Sequence, residues 1–327
     1  MTKTYYVRNF YPMARRSGAR KIDHILLMGH GGPRKREEVM PFLTSMTEGK
    51  NVSRERLDAV ARNYEMTGGA SPYHDAVTGF AKRLEKSLKD AGMDLPVFVG
   101  MKHWHPFFKD VLSGIHLKGH GKGLAIALNA FGGAAAGIGY RESLETARIS
   151  LKAPALDYVF LKGWHGEKLF IEAQAEAVSE VFGTVPEKER NGTPILFSFH
   201  SLPVKAGPQE RGSGYADEIR AASALVAKAL GHDKWSVVYQ SKPPVTGEPW
   251  LGPDIGAAIE RLAKSGEKRV VVAPLGFLCD HVEILYDLDC KAKGTADKNG
   301  MEYLRAKTVI DQSKITRLLT GLIAAEV

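Results

Sequence analysis

Short apolar runs alternate with helical segments along most of this chain, and this alternation constrains the fold more than any other feature. The runs are three to five residues long and lie at 25–28, 97–100, 124–128, 158–161, 195–197, 236–240 and 270–272. The longer stretches between several of them place apolar residues at helical spacing. Strands that alternate with helices indicate βαβ units and therefore parallel sheets.

The stretch from Val270 to Asp289 carries a group of polar side chains directly after one of these runs. If Asp280 caps a helix, Glu283 and Asp287 lie on one face of it, with His281 close by. Open α/β sheets bind ligands at the carboxyl ends of their strands, where these groups would lie. A capped helix with a solvated acidic face explains the same pattern, so this stretch alone leaves both interpretations open.

A second run, at 195–197, ends in His200, Ser201 and a proline. A lone histidine after a strand is more often structural than catalytic. Taken together, however, a neutral imidazole and carboxylates at two strand ends suit a divalent first-row metal. The two stretches contain a single cysteine, Cys279, so a zinc site built on thiolates is not expected.

Six motifs give the chain a recognisable family resemblance. They are MGHGGP (28–33), NYEMTGGASPY (63–73), GMKHWHPF (100–107), SFHSLP (198–203), YQSK with EPWLGPD (239–254) and PLGFLCDHVEILYDLD (274–289). In these motifs and in their order the sequence resembles ferrochelatase, the enzyme that inserts ferrous iron into a porphyrin to make haem. The resemblance covers most of the chain from about residue 24.

The resemblance implies an α/β fold with two Rossmann-like domains, parallel sheets flanked by helices, and an active-site cleft between the domains. On this basis we divide the chain into a basic arm (1–22), an N-terminal domain (23–150) and a C-terminal domain (151–310). The last segment (311–327) is expected to form a helix that packs back on the N-terminal domain.

The resemblance also assigns roles to the polar groups. His200 is expected to accept a proton or make the first metal contact, with Glu283 as its partner across the site. His281 and Asp280 would orient these two residues. Asp287 would continue the acidic line outward as an outer metal contact, although relatives carry a further acid where this chain has Lys291.

The expected porphyrin contacts come from both halves of the chain. They are His30, Tyr64, Ser71, Lys102, His103 and Trp250. His30 lies in a glycine-rich turn and could approach the metal from the face opposite His200, although a solvent-exposed loop histidine is an equal alternative. Residues 129–142 depart from the family, since relatives carry hydroxyl and aromatic residues where this chain has glycine and alanine. Tyr140 or Arg141 could compensate.

Composition limits the alternatives. The net charge of +8 is dispersed and no nucleic-acid motif accompanies it, so a porphyrin with anionic propionates is favoured over nucleic acid as the partner. No apolar run approaches membrane-span length, so at most peripheral membrane contact is expected. Two cysteines suit a reducing compartment, and we expect a cytoplasmic protein. Residues 1–22 contain six Lys or Arg and no acid, which also fits a transit segment.

We therefore predict a ferrochelatase with Fe(II) as substrate, no permanently bound cofactor and no iron–sulfur cluster. An iron donor or a haem acceptor are possible protein partners. Segment 34–62 is short and charged where membrane-associated relatives carry an apolar lip, and this favours coproporphyrin III over protoporphyrin IX. Two alternatives stay open: a chelatase for another metal and tetrapyrrole, and a porphyrin or haem carrier without catalysis.

Overall fold

Eight strands, twelve α-helices, one 3₁₀ helix and one π-helix are found in the part of the chain that the structure describes. The computed structural model describes residues 21–131, 134–151, 156–204, 214–242, 247 and 249–327. The strands are β1 (His24–Gly29), β2 (Val97–Met101), β3 (Lys122–Ala127), β4 (Asp157–Phe160), β5 (Ile195–His200), β6 (Trp235–Gln240), β7 (Arg269–Ala273) and β8 (Glu302–Arg305). The helices are α1 (Val39–Met46), α2 (Arg54–Met66), α3 (Tyr73–Asp90), α4 (Phe108–Leu117), α5 (Ala134–Ser150), α6 (Lys168–Phe182), α7 (Glu187–Arg190), α8 (Tyr215–Leu230), α9 (Ile255–Lys264), α10 (Val282–Leu285), α11 (Lys293–Lys298) and α12 (Ser313–Ala324).

The strands form two four-stranded sheets with the same order, β2-β1-β3-β4 and β6-β5-β7-β8, and the pairings within them are parallel. The predicted fold class, two Rossmann-like units with helix-flanked parallel sheets, is therefore confirmed. In each sheet the chain turns to one side after the first central strand and to the other side after the second. The switch points thus lie between β1 and β3 and between β5 and β7, and ligands of open α/β sheets bind at such points.

Alternation along the central strands explains why they are buried on both faces. In β1, Ile25 and Leu27 pack into one apolar cluster, whereas Leu26 and Met28 pack into another on the opposite face. Val271 of β7 joins the cluster that contains Ile25 and Leu27. One continuous apolar core therefore connects the two sheets and fixes their relative position.

The C-terminal helix α12 packs against both α3 and α6. Thr320 Oγ1 donates a hydrogen bond to Ser87 Oγ on α3 at 2.9 Å. Lys314 Nζ lies 2.6 Å from Glu176 Oε2 on α6. The end of the chain thus connects the first domain to the crossover that leads into the second.

Strand β4 lies on the other side of the domain boundary from the one expected from the sequence. Strand β4 pairs with β3 in register Lys122↔Asp157, so it belongs to the first sheet although the sequence assigns it to a second unit beginning at residue 151. The reason is topological, because the crossover to the second sheet is α6, which follows β4. Strand β8 was not predicted, since its sequence EYLR is short, half-charged and only partly buried. Residues 1–20 of the predicted basic arm lie outside the described residues.

Among the described residues, we find no helix that is both long enough and apolar enough to cross a bilayer.

Candidate functional site

Polar side chains from both sheets meet in a cleft at the carboxyl ends of β1, β5 and β7. His30 follows β1 directly, His200 is the last residue of β5, and Glu283 lies in α10, which begins nine residues after β7 ends. All three residues lie beside the switch points of the two sheets. The charges of His200 and Glu283 both act on the pKa of His30, so the three groups share one electrostatic environment.

His200 and Glu283 form an ion pair at the centre of this cleft. His200 Nε2 lies 3.6 Å from Glu283 Oε1, and 33% and 42% of the two side chains are exposed, so both stay open to the cleft. His200 Nδ1 donates to the carbonyl oxygen of Ser201, which leaves Nε2 to face the carboxylate. Burial disfavours the imidazolium, but the Glu283 carboxylate outweighs it and raises the pKa of His200 to about 9. Burial likewise opposes the Glu283 charge, yet His200 holds the pKa of that carboxyl below its usual range.

His281 caps the helix that carries Glu283. Its Nδ1 accepts a hydrogen bond from the Glu283 amide at 3.2 Å, and its backbone is extended, as at a helix N-cap. The ring contacts Tyr73 of the first domain and Phe277, with centroids 6.3 and 5.0 Å away. Burial lowers the pKa of His281 to about 4, so the ring is neutral and can accept. His281 therefore orients Glu283 and connects the two walls of the cleft.

Asp280 is not the helix cap that the sequence predicts. Its carboxylate instead binds Arg305, with Arg305 Nη2 3.1 Å from Asp280 Oδ2, and accepts a hydrogen bond from Thr308 Oγ1 at 3.1 Å. Arg305 also binds Asp289 at 2.6 Å. The guanidinium can bridge two carboxylates because its planar fork offers several donors. It thereby fixes both ends of the segment that carries Glu283.

A buried polar network, which we did not predict from the sequence, holds the main chain of Glu283. The side chain of Gln240, which is 1% exposed, accepts a hydrogen bond from Ser198 Oγ at 2.7 Å. Gln240 Nε2 then donates to the main-chain carbonyl of Glu283 at 2.6 Å. A glutamine at the end of the apolar run 236–240, inside the YQSK motif, was the available signal.

Gln240→Ala is expected to destabilise the protein by about 2–4 kcal/mol, because the Ser198 hydroxyl and the Glu283 carbonyl both lose a buried partner. Urea unfolding followed by circular dichroism measures this change. Ser198→Ala is the graded control and should cost about 1–3 kcal/mol, because it leaves one buried group, the Gln240 side-chain oxygen, without its partner. Wild-type stability of Gln240→Ala would contradict the role of the network.

Asp287 lies beyond Glu283, where a widened helical turn replaces the regular helix that the sequence predicts. Residues Asp287–Ala292 form a π-helix, with the Lys291 amide bonded to the Tyr286 carbonyl. Turns of this kind often occur at functional sites. Asp287 accepts a hydrogen bond from Ser241, and its other oxygen lies 3.6 Å from Lys291 Nζ. Ser241 has φ 61°, an unusual value for a residue other than glycine.

The first domain contributes a wall of imidazoles and a lysine. The amides of Lys102 and His103 donate to the carbonyls of Gly29 and His30 at 2.9 Å, which extends the pairing of β1 and β2 past the strands. As a result the His30 and His103 rings lie with centroids 4.7 Å apart. Burial, with His30 and Lys102 adding to it, lowers the pKa of His103 to about 3. Tyr73 Oη accepts a hydrogen bond from the His30 amide at 3.0 Å.

The structure shows the burial and the contacts of three residues that were predicted to bind the porphyrin. Tyr64 is 3% exposed and packs with Phe42 at a centroid distance of 6.3 Å. Ser71 is 8% exposed, and its Oγ accepts a hydrogen bond from the Tyr73 amide at the start of α3. Trp250 forms a bridge with Pro203 beside His200, and its indole N–H has no hydrogen-bond partner within the described residues.

The loop that departs from the family leads into helix α5. Residues 132–133 lie outside the described residues, and Asn129 Oδ1 accepts a hydrogen bond from the Phe131 amide at 2.9 Å. Of the two residues expected to compensate, Arg141 lies over the Phe160 ring at 4.3 Å. Burial raises the pKa of Tyr140, with a further contribution from Glu283, so this phenol is close enough to the cleft to interact with its charges.

The arrangement can bind a dication and remove protons. Glu283 supplies a carboxylate, and His200 supplies an imidazole whose Nε2 lies 3.6 Å from it. His30 is close enough for the charges of both groups to act on its pKa. Imidazole and carboxylate are ligands that suit Fe²⁺ and other first-row dications. A dication near Glu283 also favours loss of the proton from the His200 imidazolium, and the neutral ring can then accept another proton.

Comparison with known proteins shows the family to which the chain belongs. A family model described as Ferrochelatase matches residues 23–327. Coproporphyrin III ferrochelatase of Mycolicibacterium smegmatis is 34% identical over 302 residues, which cover 92% of this chain and 89% of that protein. The coproporphyrin III ferrochelatase of Nocardia farcinica is 35% identical over 306 residues, which cover 92% and 87%.

Solved structures share the fold at low sequence identity. SirB from Bacillus subtilis with Fe³⁺ has a TM-score of 0.56 and 11% identity, over 94% of this chain and 96% of that one. The sirohydrochlorin chelatase SirB from Bacillus subtilis subspecies spizizenii in complex with cobalt has a TM-score of 0.52 and 12% identity, over 94% of each chain. At this identity the likeness describes the two-domain architecture alone.

Proposed function

This chain belongs to the ferrochelatase family, and on that premise we propose that it inserts Fe²⁺ into coproporphyrin III, with His200 and Glu283 at the point of insertion. Metal-chelatase activity follows from family membership. The assignment of the two residues rests on one observation: a histidine and a carboxylate from neighbouring strand ends lie 3.6 Å apart in a cleft open to solvent.

The reaction must exchange one dication for two pyrrole protons. His200 starts as an imidazolium paired with Glu283 and therefore cannot accept a proton in that state. The approach of a dication to Glu283 disfavours the neighbouring positive charge, so the imidazolium releases its proton to solvent, which reaches the partly exposed ring. The neutral ring can then contact the metal, or it can accept the two pyrrole protons in turn and pass each one to solvent. The Glu283 carboxylate balances the positive charge on the ring while it carries a proton.

The remaining groups position the substrate in this proposal. Lys102 gives the first-domain wall a positive charge that favours an anionic propionate. His30 and His103 would face the macrocycle, while His281 keeps Glu283 aimed at its centre. Tyr64 and Ser71 act through the walls that they build, because both are almost fully buried. Trp250 is only partly buried and is proposed to contact the porphyrin directly.

Asp287 is proposed as an acidic neighbour of the pair. An outer metal contact at this residue would share its two oxygens with Ser241 and Lys291.

Coproporphyrin III is expected to give a kcat/KM at least about tenfold above that of protoporphyrin IX, since it carries four propionates instead of two. One additional charge-assisted hydrogen bond, worth about 1.5–3 kcal/mol, suffices for this difference. Anaerobic Fe²⁺ insertion followed by absorption measures both values in the purified full chain. Equal values, or a preference for protoporphyrin IX, would contradict the proposed substrate.

The same assay distinguishes two other functions. Faster insertion of Co²⁺ or Ni²⁺ than of Fe²⁺ would identify a chelatase for another metal. Tight porphyrin binding without turnover would identify a carrier. The His200–Glu283 pair favours a catalytic function over a carrier, because a carrier has no need of paired proton-accepting groups in its cleft.

Several finer features stay predictions. A cytoplasmic location agrees with Cys279 and Cys290 being free thiols. The chain is expected to bind no iron–sulfur cluster and no permanent cofactor. An iron donor or a haem acceptor would dock near the mouth of the cleft, and no nucleic-acid partner is expected.

A further inference from the structure

A second group of metal-ligating side chains lies at the amino ends of the strands of the first sheet, whereas the cleft lies at their carboxyl ends. Asp23, His24 and His120 each offer one ligand atom, and these atoms lie within 4.8 Å of one another. His24 begins β1, whereas His30 follows its end, so the two residues are about 20 Å apart along the strand. The group therefore does not belong to the cleft.

Asp23 divides its two carboxylate oxygens between different tasks. Oδ2 accepts hydrogen bonds from the amides of Gly121 and Lys122 at 2.8 and 3.3 Å, which fixes the carboxylate against the turn before β3. Oδ1 faces the imidazoles, with His24 Nδ1 at 2.6 Å and His120 Nδ1 at 3.5 Å. The backbone thus holds one oxygen and presents the other to two nitrogens.

His24 is held as metal-binding histidines usually are. The residue is 0% exposed, and its Nε2 lies 3.0 Å from the hydroxyl oxygen of Tyr158. A histidine that binds metal through one nitrogen normally uses the other as a donor to an oxygen behind it, which fixes the ring and its tautomer. If Nδ1 binds a metal, Nε2–H donates to Tyr158 and both nitrogens stay satisfied.

Gly123 shows how closely the protein packs around this ring. A Cβ built on Gly123 would lie 2.4 Å from His24 Nε2 and 2.4 Å from Tyr158 Cε1. A side chain at position 123 would therefore displace the ring from its partner. The glycine keeps the His24 imidazole at the position from which Nδ1 faces Asp23 and His120.

From this geometry we propose that Asp23, His24 and His120 form a second binding site for a divalent first-row metal, with zinc as the probe. Ligand atoms of tetrahedral zinc at about 2.0–2.1 Å lie about 3.3 Å from one another. The His120–Asp23 distance already matches this value, and the His24–Asp23 distance must open by less than about 1 Å. His120 and Asp23 are 22% and 37% exposed in their side chains, so the metal has a path from solvent and a fourth position for water.

Positive charge near the three ligands limits both the affinity of the site for metal ions and the range of metals that it can bind. Lys118 Nζ lies 5.2 Å from the centroid of the Phe98 ring, and Phe98 packs against both His24 and His120. One carboxylate and nearby lysines disfavour hard, oxygen-loving cations such as Ca²⁺ and Mg²⁺. Two imidazoles favour Zn²⁺, Ni²⁺ or Co²⁺.

The site would join three segments of the first domain. Asp23 and His24 lie at the start of β1, His120 lies in the turn before β3, and Tyr158 is in β4. A metal that binds only the folded chain stabilises it by mass action. Zinc at about 100 times its Kd is therefore expected to raise the unfolding temperature by several degrees.

The experiment counts zinc in a tag-free full chain whose cleft is disabled by His200→Ala and Glu283→Gln. Calorimetric titration is expected to give one Zn²⁺ per chain. Adding His120→Ala should weaken this binding by at least about 100-fold. This loss is larger than the one expected on removing a residue that only hydrogen-bonds to a metal ligand. His116→Ala, an exposed histidine one helical turn earlier, is the matched control and should leave zinc binding unchanged.

Tyr158→Phe gives a graded test and should weaken zinc binding by about 10–100-fold, because it removes the oxygen behind His24. Circular dichroism, and unchanged iron insertion by His120→Ala in an otherwise wild-type chain, establish that the variant folds. Absence of zinc binding in the chain with the disabled cleft would overturn the proposal. Binding that survives His120→Ala would overturn it too, whatever the outcome for the activity of the cleft.

Discussion

His200→Ala is expected to lower kcat for Fe²⁺ insertion by about 10³-fold, within the range that loss of a proton-transferring side chain usually gives. The variant removes the imidazole that lies 3.6 Å from Glu283, so a pyrrole proton loses the acceptor that we propose for it. Coproporphyrin affinity should change by less than about threefold, because the macrocycle contacts the cleft over a much larger surface than one ring. Anaerobic single-turnover insertion measures the rate, and quenching of porphyrin fluorescence measures the affinity.

His200→Gln separates proton transfer from shape. Glutamine retains a similar reach and can donate to the Ser201 carbonyl, but it cannot accept a proton at neutral pH. It should therefore be nearly as inactive as His200→Ala. If His200→Gln retained more than a tenth of the wild-type rate, His200 would act through shape or hydrogen bonding rather than by accepting a proton or binding metal.

The strand framework could be predicted from the sequence because most strands are short runs with apolar character. The runs at 25–28 and 270–272 fall inside strands that are buried on both faces, where most residues are apolar. Strand β8 lies at a sheet edge with one partner, so its side chains can be charged and the pattern disappears. Neither pattern reveals which sheet a strand joins, and β4 was assigned to the wrong one for that reason.

Parts of the candidate site could be predicted from the type of side chain alone. Other parts could not, because the role of a residue there depends on which neighbours the fold places beside it. Histidine and glutamate at strand ends indicated the cleft. The cap of α10 could not be read, since Asp280 and His281 both suit an N-cap and only the position of Arg305 draws Asp280 away. Gln240 escaped notice because a buried glutamine matters through the partners that the fold supplies, here Ser198 and the Glu283 carbonyl.

Glu283→Gln is expected to lower kcat by about 10²–10³-fold and to raise the Fe²⁺ concentration needed for half-maximal rate. The amide matches the carboxylate in size but cannot neutralise a dication, and it leaves His200 without its counter-charge. Cleft shape should persist, because the Gln240 and His281 contacts go to the main chain of residue 283. Initial rates over a series of Fe²⁺ concentrations measure both effects. Glu260→Gln, an exposed position on α9, is the matched control.

The double variant His200→Ala/Glu283→Gln determines whether the two residues act together. If the pair transfers metal and protons as one unit, removing the second member costs little once the first is gone. The double variant should then lie within about threefold of the less active single variant, rather than at the product of the two losses, about 10⁵–10⁶-fold. Losses that multiplied would contradict a shared role. Such a result would mean that proton removal and metal delivery occur at separate places in the cleft.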